Sequence, residues 1–88
     1  MPTTTPTRKE IEQKVIELAA KQGGVDPKEV LPASHFVNDL GYDSLDRVEF
    51  AMSLEDEFSV SIPDEQAEKA QFVEDAIRFV IELLDPKE

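Results

Sequence analysis

Apolar residues recur at helical spacing in three separate stretches of this chain, and nowhere do they alternate in the two-residue rhythm of a half-buried strand. The clearest stretch is Val73, Ala76, Ile77, Val80, Ile81 and Leu84. Ile11, Val15, Leu18 and Ala19 form a second, and Phe50, Ala51, Leu54 and Phe58 a third. An amphipathic helix must bury its stripe, and here only other helices are on offer, so the pattern predicts an all-α fold. Eighty-eight residues suffice for one domain. The chain has no cysteine, so neither a disulfide nor a thiolate metal site can staple it, and helix packing must supply the core.

Boundary signals divide the chain further. Thr7-Arg8-Lys9-Glu10 has capping-box spacing, which starts the first helix; it is expected to run to about Gln22, where Gly23-Gly24 supply positive φ. Residues 1–6 have nothing to bury and read as a flexible tail, leaving 7–85 as the domain. From Gly23 to Asp43 no period is sustained, and Pro27 and Pro32 interrupt. A loop of that length is usually functional or packed down by its own side chains, here Phe36, Val37 and Leu40. Asp43 is placed to cap a second helix ending near Phe58. Residues 59–63 form an extended connector, Asp64 caps a short helix through Lys69, and the last helix runs from Val73 until Pro86 stops it. The result is three longer helices and a short third one, with a long loop between helices one and two.

Charge narrows the function classes. Twenty acidic residues face nine basic ones, and residues 43–88 hold fourteen of the acids against four bases. Such a surface repels phosphate backbones and anionic membranes, which argues against nucleic-acid binding and membrane association. It would attract a basic protein partner or, weakly, divalent cations. No apolar run is long enough to cross a bilayer, and MPTTTPTRKE lacks the apolar core of a signal peptide, so a cytoplasmic protein is expected.

The second helix carries two apolar faces. With Leu45 at zero and roughly 100° per residue, Phe50, Ala51, Leu54 and Phe58 fall in a core-facing band. Leu45, Val48 and Met52 fall on the opposite side, with Glu49 and Asp56 among them and Asp46 and Glu57 flanking. An exposed apolar stripe ringed by carboxylates is how a docking surface is built. The competing expectation is that the 23–43 loop folds over the stripe and hides it.

Ser44, in LGYDSLDRVEF, is the candidate reactive group. As a helix-start hydroxyl it would be ordinary, although Asp43 already fills the cap role. As a nucleophile it lacks support. His35 is the only histidine and lies in the loop, no second glycine completes a nucleophile elbow, and Asp43 and Asp46 would oppose an alkoxide. The acids show no calcium-loop spacing, so no specific metal site is expected. The third use is as a point of attachment.

Leu40-Gly41 followed by Asp43-Ser44-Leu45 resembles the attachment motif of acyl carrier proteins. The likeness continues through Val48-Glu49, Leu54-Glu55, Glu57-Phe58, Ile62-Pro63-Asp64-Glu65 and Ala67-Glu68-Lys69, with Phe36 and Asp39 upstream, and so covers nearly the whole chain after the threonine tail. The resemblance implies a four-helix bundle that is not itself an enzyme. It implies that Ser44 receives 4′-phosphopantetheine from coenzyme A through a phosphopantetheinyl transferase, and that the thiol of that arm carries acyl groups for fatty-acid or polyketide-type synthesis. A chain without cysteine is consistent with a thiol brought in from outside. It further implies docking of basic-surfaced acyl-transfer and synthase enzymes on Asp43, Leu45, Asp46, Val48, Glu49, Met52 and Asp56. An acyl chain would be sheltered by Phe36, Phe50, Leu54, Ile62, Ala67 and Ala70, in a monomer. Tyr42, Arg47, Ala70 and Gln71-Phe72 depart from the family pattern, and a carrier dedicated to another pathway is the near alternative. An unmodified acidic helical adaptor is the alternative of a different class.

Overall fold

The structure is a computed structural model that describes residues 6–85. Four α-helices follow in order: α1 Arg8–Gly23, α2 Ser44–Phe58, α3 Asp64–Lys69 and α4 Val73–Leu84, with one 3-10 turn at Pro27–Glu29. The described residues contain no strand, only one isolated antiparallel bridge between His35 and Phe72. The four-helix, all-α expectation holds. Pro86 and residues 1–5 of the expected tail lie outside the described residues.

Local chemistry sets each boundary. At α1 the Thr7 hydroxyl accepts from the Glu10 N–H at 3.2 Å, while the Thr7 N–H donates to the Glu10 carboxylate at 2.9 Å. The box leaves fewer orphan donors at the helix start. At the other end only Gly24 takes a left-handed conformation, with φ 69°. Gly23 is the last helical residue, not a second turn glycine as expected. Its role is close approach: a Cβ there would come within 3.3 Å of the Tyr42 ring. The short helix also departs from expectation, because Asp64 lies inside it and Pro63 occupies the N-cap with no side-chain hydrogen bond. Proline suits that edge, where a missing N–H costs nothing.

The core is built where α1, α2 and α4 meet. Ile11, Val15, Ala19 and Ala20 come from α1, Phe50 and Leu54 from α2, and Val73, Ala76, Ile77 and Val80 from α4, all buried. The loop contributes Val30, Phe36 and Tyr42. Phe36 anchors the loop as expected and Leu40 is half-buried, but Val37 is 44% exposed and anchors nothing. The further anchor is Tyr42, whose ring packs against Phe36 and Phe50 at centroid distances of 5.1 and 6.0 Å.

The loop also finishes α4. Gln71 and Phe72 offer no capping hydroxyl, and the Asp75 carboxylate instead accepts from both of their N–H groups at 3.1 and 3.0 Å. The next two donors go to loop carbonyls: Val73 N–H to Ser34 at 2.9 Å and Glu74 N–H to Pro32 at 2.8 Å. Phe36 N–H returns a bond to the Gln71 carbonyl at 2.9 Å. A stretch without sequence periodicity is thus held by backbone pairing with a distant helix start.

Candidate functional site

Asp43 is the N-cap of α2 and Ser44 its first helical residue. The cap is a closed pair of carboxylates. Asp43 accepts from the Asp46 N–H at 2.8 Å, and Asp46 accepts from the Asp43 N–H at 3.1 Å. Neither bond uses Ser44, whose side chain is exposed. His35 is engaged elsewhere: its Nδ1 accepts from the Val37 and Asn38 N–H groups, both at 3.1 Å, and its ring meets Phe72 edge-on at 5.0 Å. It is a turn cap, not a partner for the serine.

The stripe on α2 lies open. Leu45 is 64% and Met52 58% exposed, and Val48 is exposed beside them, so the loop does not cover this face. Asp43, Glu49 and Asp56 are exposed around it, and Asp46 is partly so. The Gln22 side-chain amide reaches across from α1 and donates to Asp46 at 3.0 Å and to Glu49 at 2.8 Å. The hydrogen bond from the Asp43 N–H, then the one from Gln22, hold the Asp46 carboxyl below the usual aspartate range.

On the inward side of α2 is a cleft of about 260 Å³. Phe36, Phe50, Leu54, Ile62, Ala67 and Ala70, the six residues singled out from the sequence, all line it. The sequence reading missed Tyr42, Ala51 and Phe79, which line it as well. Phe79 lies one step off the apolar stripe of α4, and only its size signalled burial. Tyr42 stood out as a bulky departure, yet nothing in the sequence turned it inward. Its hydroxyl donates to the Ala19 carbonyl at 2.6 Å, and burial, reinforced by the nearby Asp46 carboxylate, pushes the phenol well above its ordinary range. Arg47 is another of the departures from the family pattern. It does not simply add positive charge to the acidic helix but turns toward α3, donating to the backbone carbonyls of Glu68 at 2.8 Å, Ala70 at 2.5 Å and, more weakly, Ala67 at 3.4 Å.

A bundle that offers an uncommitted hydroxyl at a helix start, with an open face on one side and a sheltered cleft on the other, is a carrier's architecture. Residues 13–80 match the family described as phosphopantetheine attachment site. An acyl carrier protein of Cyanidium caldarium is 44% identical over 81 residues, spanning 92% of this chain and 94% of that protein. The chain belongs to the acyl carrier protein family. Its cofactor is covalently bound 4′-phosphopantetheine, and its function is to carry acyl intermediates in fatty-acid biosynthesis.

Proposed function

We propose that Ser44 is the residue that bears the 4′-phosphopantetheine. The observation that carries this reading is the self-contained cap of α2: Asp43 and Asp46 satisfy each other's N–H groups, so the Ser44 hydroxyl is free to be esterified without cost to the helix. The residues fit the group. A phosphodiester on Ser44 would stand at the positive end of a 15-residue helix. When bound, the group supplies the thiol that this chain lacks, and on it acyl groups ride as thioesters. The chain's own task is to present the serine, orient a partner and exclude water from the acyl chain.

The open face of α2 is then the docking surface for a phosphopantetheinyl transferase and for basic-surfaced acyl-transfer and synthase enzymes. Leu45, Val48 and Met52 give apolar contact; Asp43, Asp46, Glu49 and Asp56 give charge. The cleft behind Phe36, Phe50, Leu54, Ile62, Ala67 and Ala70 is the shelter for the acyl chain, in a protein that acts as a cytoplasmic monomer and leaves catalysis to its partners. Among the described residues no helix is long and apolar enough to cross a membrane.

Intact-mass measurement tests the central step. After incubation with coenzyme A and a broad-specificity phosphopantetheinyl transferase, the wild type gains one phosphopantetheine and Ser44→Ala gains none. No gain in the wild type, or equal gain in the variant, overturns the assignment.

A further inference from the structure

The short helix α3 has little to hold it. Six residues are too few to be stable as an isolated helix. None of them is buried, and the N-cap makes no side-chain bond. Its attachments come from two side chains of α2. At the leading end Glu55 accepts from the Ile62 N–H at 2.7 Å, and Ile62 itself is buried. At the trailing end Arg47 donates to the carbonyls of Ala67, Glu68 and Ala70, beside two half-buried alanines and just before Gln71, whose backbone pairs with Phe36 and Asp75. The cleft lies between these two pins, lined by Ile62, Ala67 and Ala70 of the strap and by Arg47 itself.

The two pins hold different groups, a backbone N–H before the helix and the carbonyls at its end. Removing Glu55 would leave Ile62 still seated in the core. Removing Arg47 would leave the chain paired at Gln71, beyond the helix, but would strip the carbonyls at the end of the helix itself of their donor and leave there only the half-buried Ala67 and Ala70. All three contacts come from one guanidinium nitrogen, Nη2, which always carries its charge and sits at the end of a side chain long enough to reach from α2 to the end of α3. From these bonds at the helix end we infer that Arg47 is the latch that closes the trailing end of α3 over the cleft, and so sets how well an enclosed acyl group is hidden from water and partners. The inference rests on the proposal that the cleft shelters the acyl chain. Arg47 is a positioning residue: it acts through α3.

The test uses Arg47→Met, which removes the donors and keeps an apolar stem, and Arg47→Lys, which keeps the charge and N–H donors on a shorter side chain. In the unacylated protein, amide hydrogen exchange in residues 66–70 should quicken about tenfold or more in Arg47→Met, the order expected for losing bonds from a charged donor. The α1 amides should be unaffected, and Arg47→Lys should restore part of the protection. Unchanged exchange in α3, or equal acceleration in α1 and α3, overturns the latch. The second arm loads the protein with octanoyl or acetyl groups and follows thioester cleavage by hydroxylamine. Arg47→Met should speed loss of octanoyl and leave acetyl, too short to be enclosed, unaffected. Faster α3 exchange with unchanged octanoyl cleavage removes the role in sheltering. If wild-type octanoyl is cleaved as fast as wild-type acetyl, the sheltering reading of the cleft falls, while the exchange arm still decides the latch.

Discussion

At the scale of single residues, Tyr42 joins the loop, α1 and the cleft. Its hydroxyl meets the Ala19 carbonyl, its ring meets Phe36 and Phe50, and it crowds Gly23. Because it is the only tyrosine in the chain, its ionisation can be followed without overlap. Burial raises the folded-state pKa above the unfolded value of about 10. The neutral phenol's contribution to stability is therefore complete below that value and declines as pH rises through it toward the folded pKa. Tyrosinate absorbance in the folded protein should appear well above the ordinary range and coincide with loss of helical circular dichroism, whereas in urea it should return to the ordinary value. Ionisation at the ordinary pH with the helices intact would show that the phenol is not buried. Tyr42 was visible in the sequence as an oddity but not as a core residue, because its direction is set by a carbonyl 23 positions away in α1.

At the scale of elements, the helices follow from periodicity and capping boxes because both are local, within four residues. The same locality explains what periodicity could not give. The start of α4 depends on Pro32 and Ser34 carbonyls, and the end of α3 on Arg47, each far away along the chain. The face of α2 with Leu45, Val48 and Met52 was legible because nothing distant covers it. What the helical wheel could not show is that Asp46 serves two ends, capping α2 and accepting from Gln22 of α1. Its depressed pKa means that the carboxylate supports the fold above the ordinary value of about 3.9, and that this support is lost as pH falls through the folded pKa. Replacing Gln22 with leucine should raise the Asp46 pKa partway, measured by carboxyl NMR titration, and the remaining depression belongs to the Asp43 N–H. A Gln22→Leu titration that matches the wild type would show that the amide contact has no weight in solution.

At the scale of the whole molecule, the relevant comparison is between its size and the reach of its charge. The described chain measures 38 × 28 × 19 Å. At about 0.01 M salt the screening length is about 30 Å, so a partner senses nearly every carboxylate; at about 0.15 M it is about 8 Å, and only the nearest face counts. Reversing Glu49 or Asp56 to lysine should therefore slow association with a basic partner severalfold at low salt and less at physiological salt, by stopped-flow measurement. Low-salt rates equal to the wild type would remove α2 as the docking face. The Gln22 amide gives that face one more property. It holds the Asp46 and Glu49 carboxylates side by side before any partner arrives. A guanidinium reaching this edge meets side chains whose rotamers are already narrowed, so less conformational entropy remains to be lost on contact. On the proposed docking role, the neutral glutamine of α1 would be a preorganising brace for a recognition edge to which it contributes no charge.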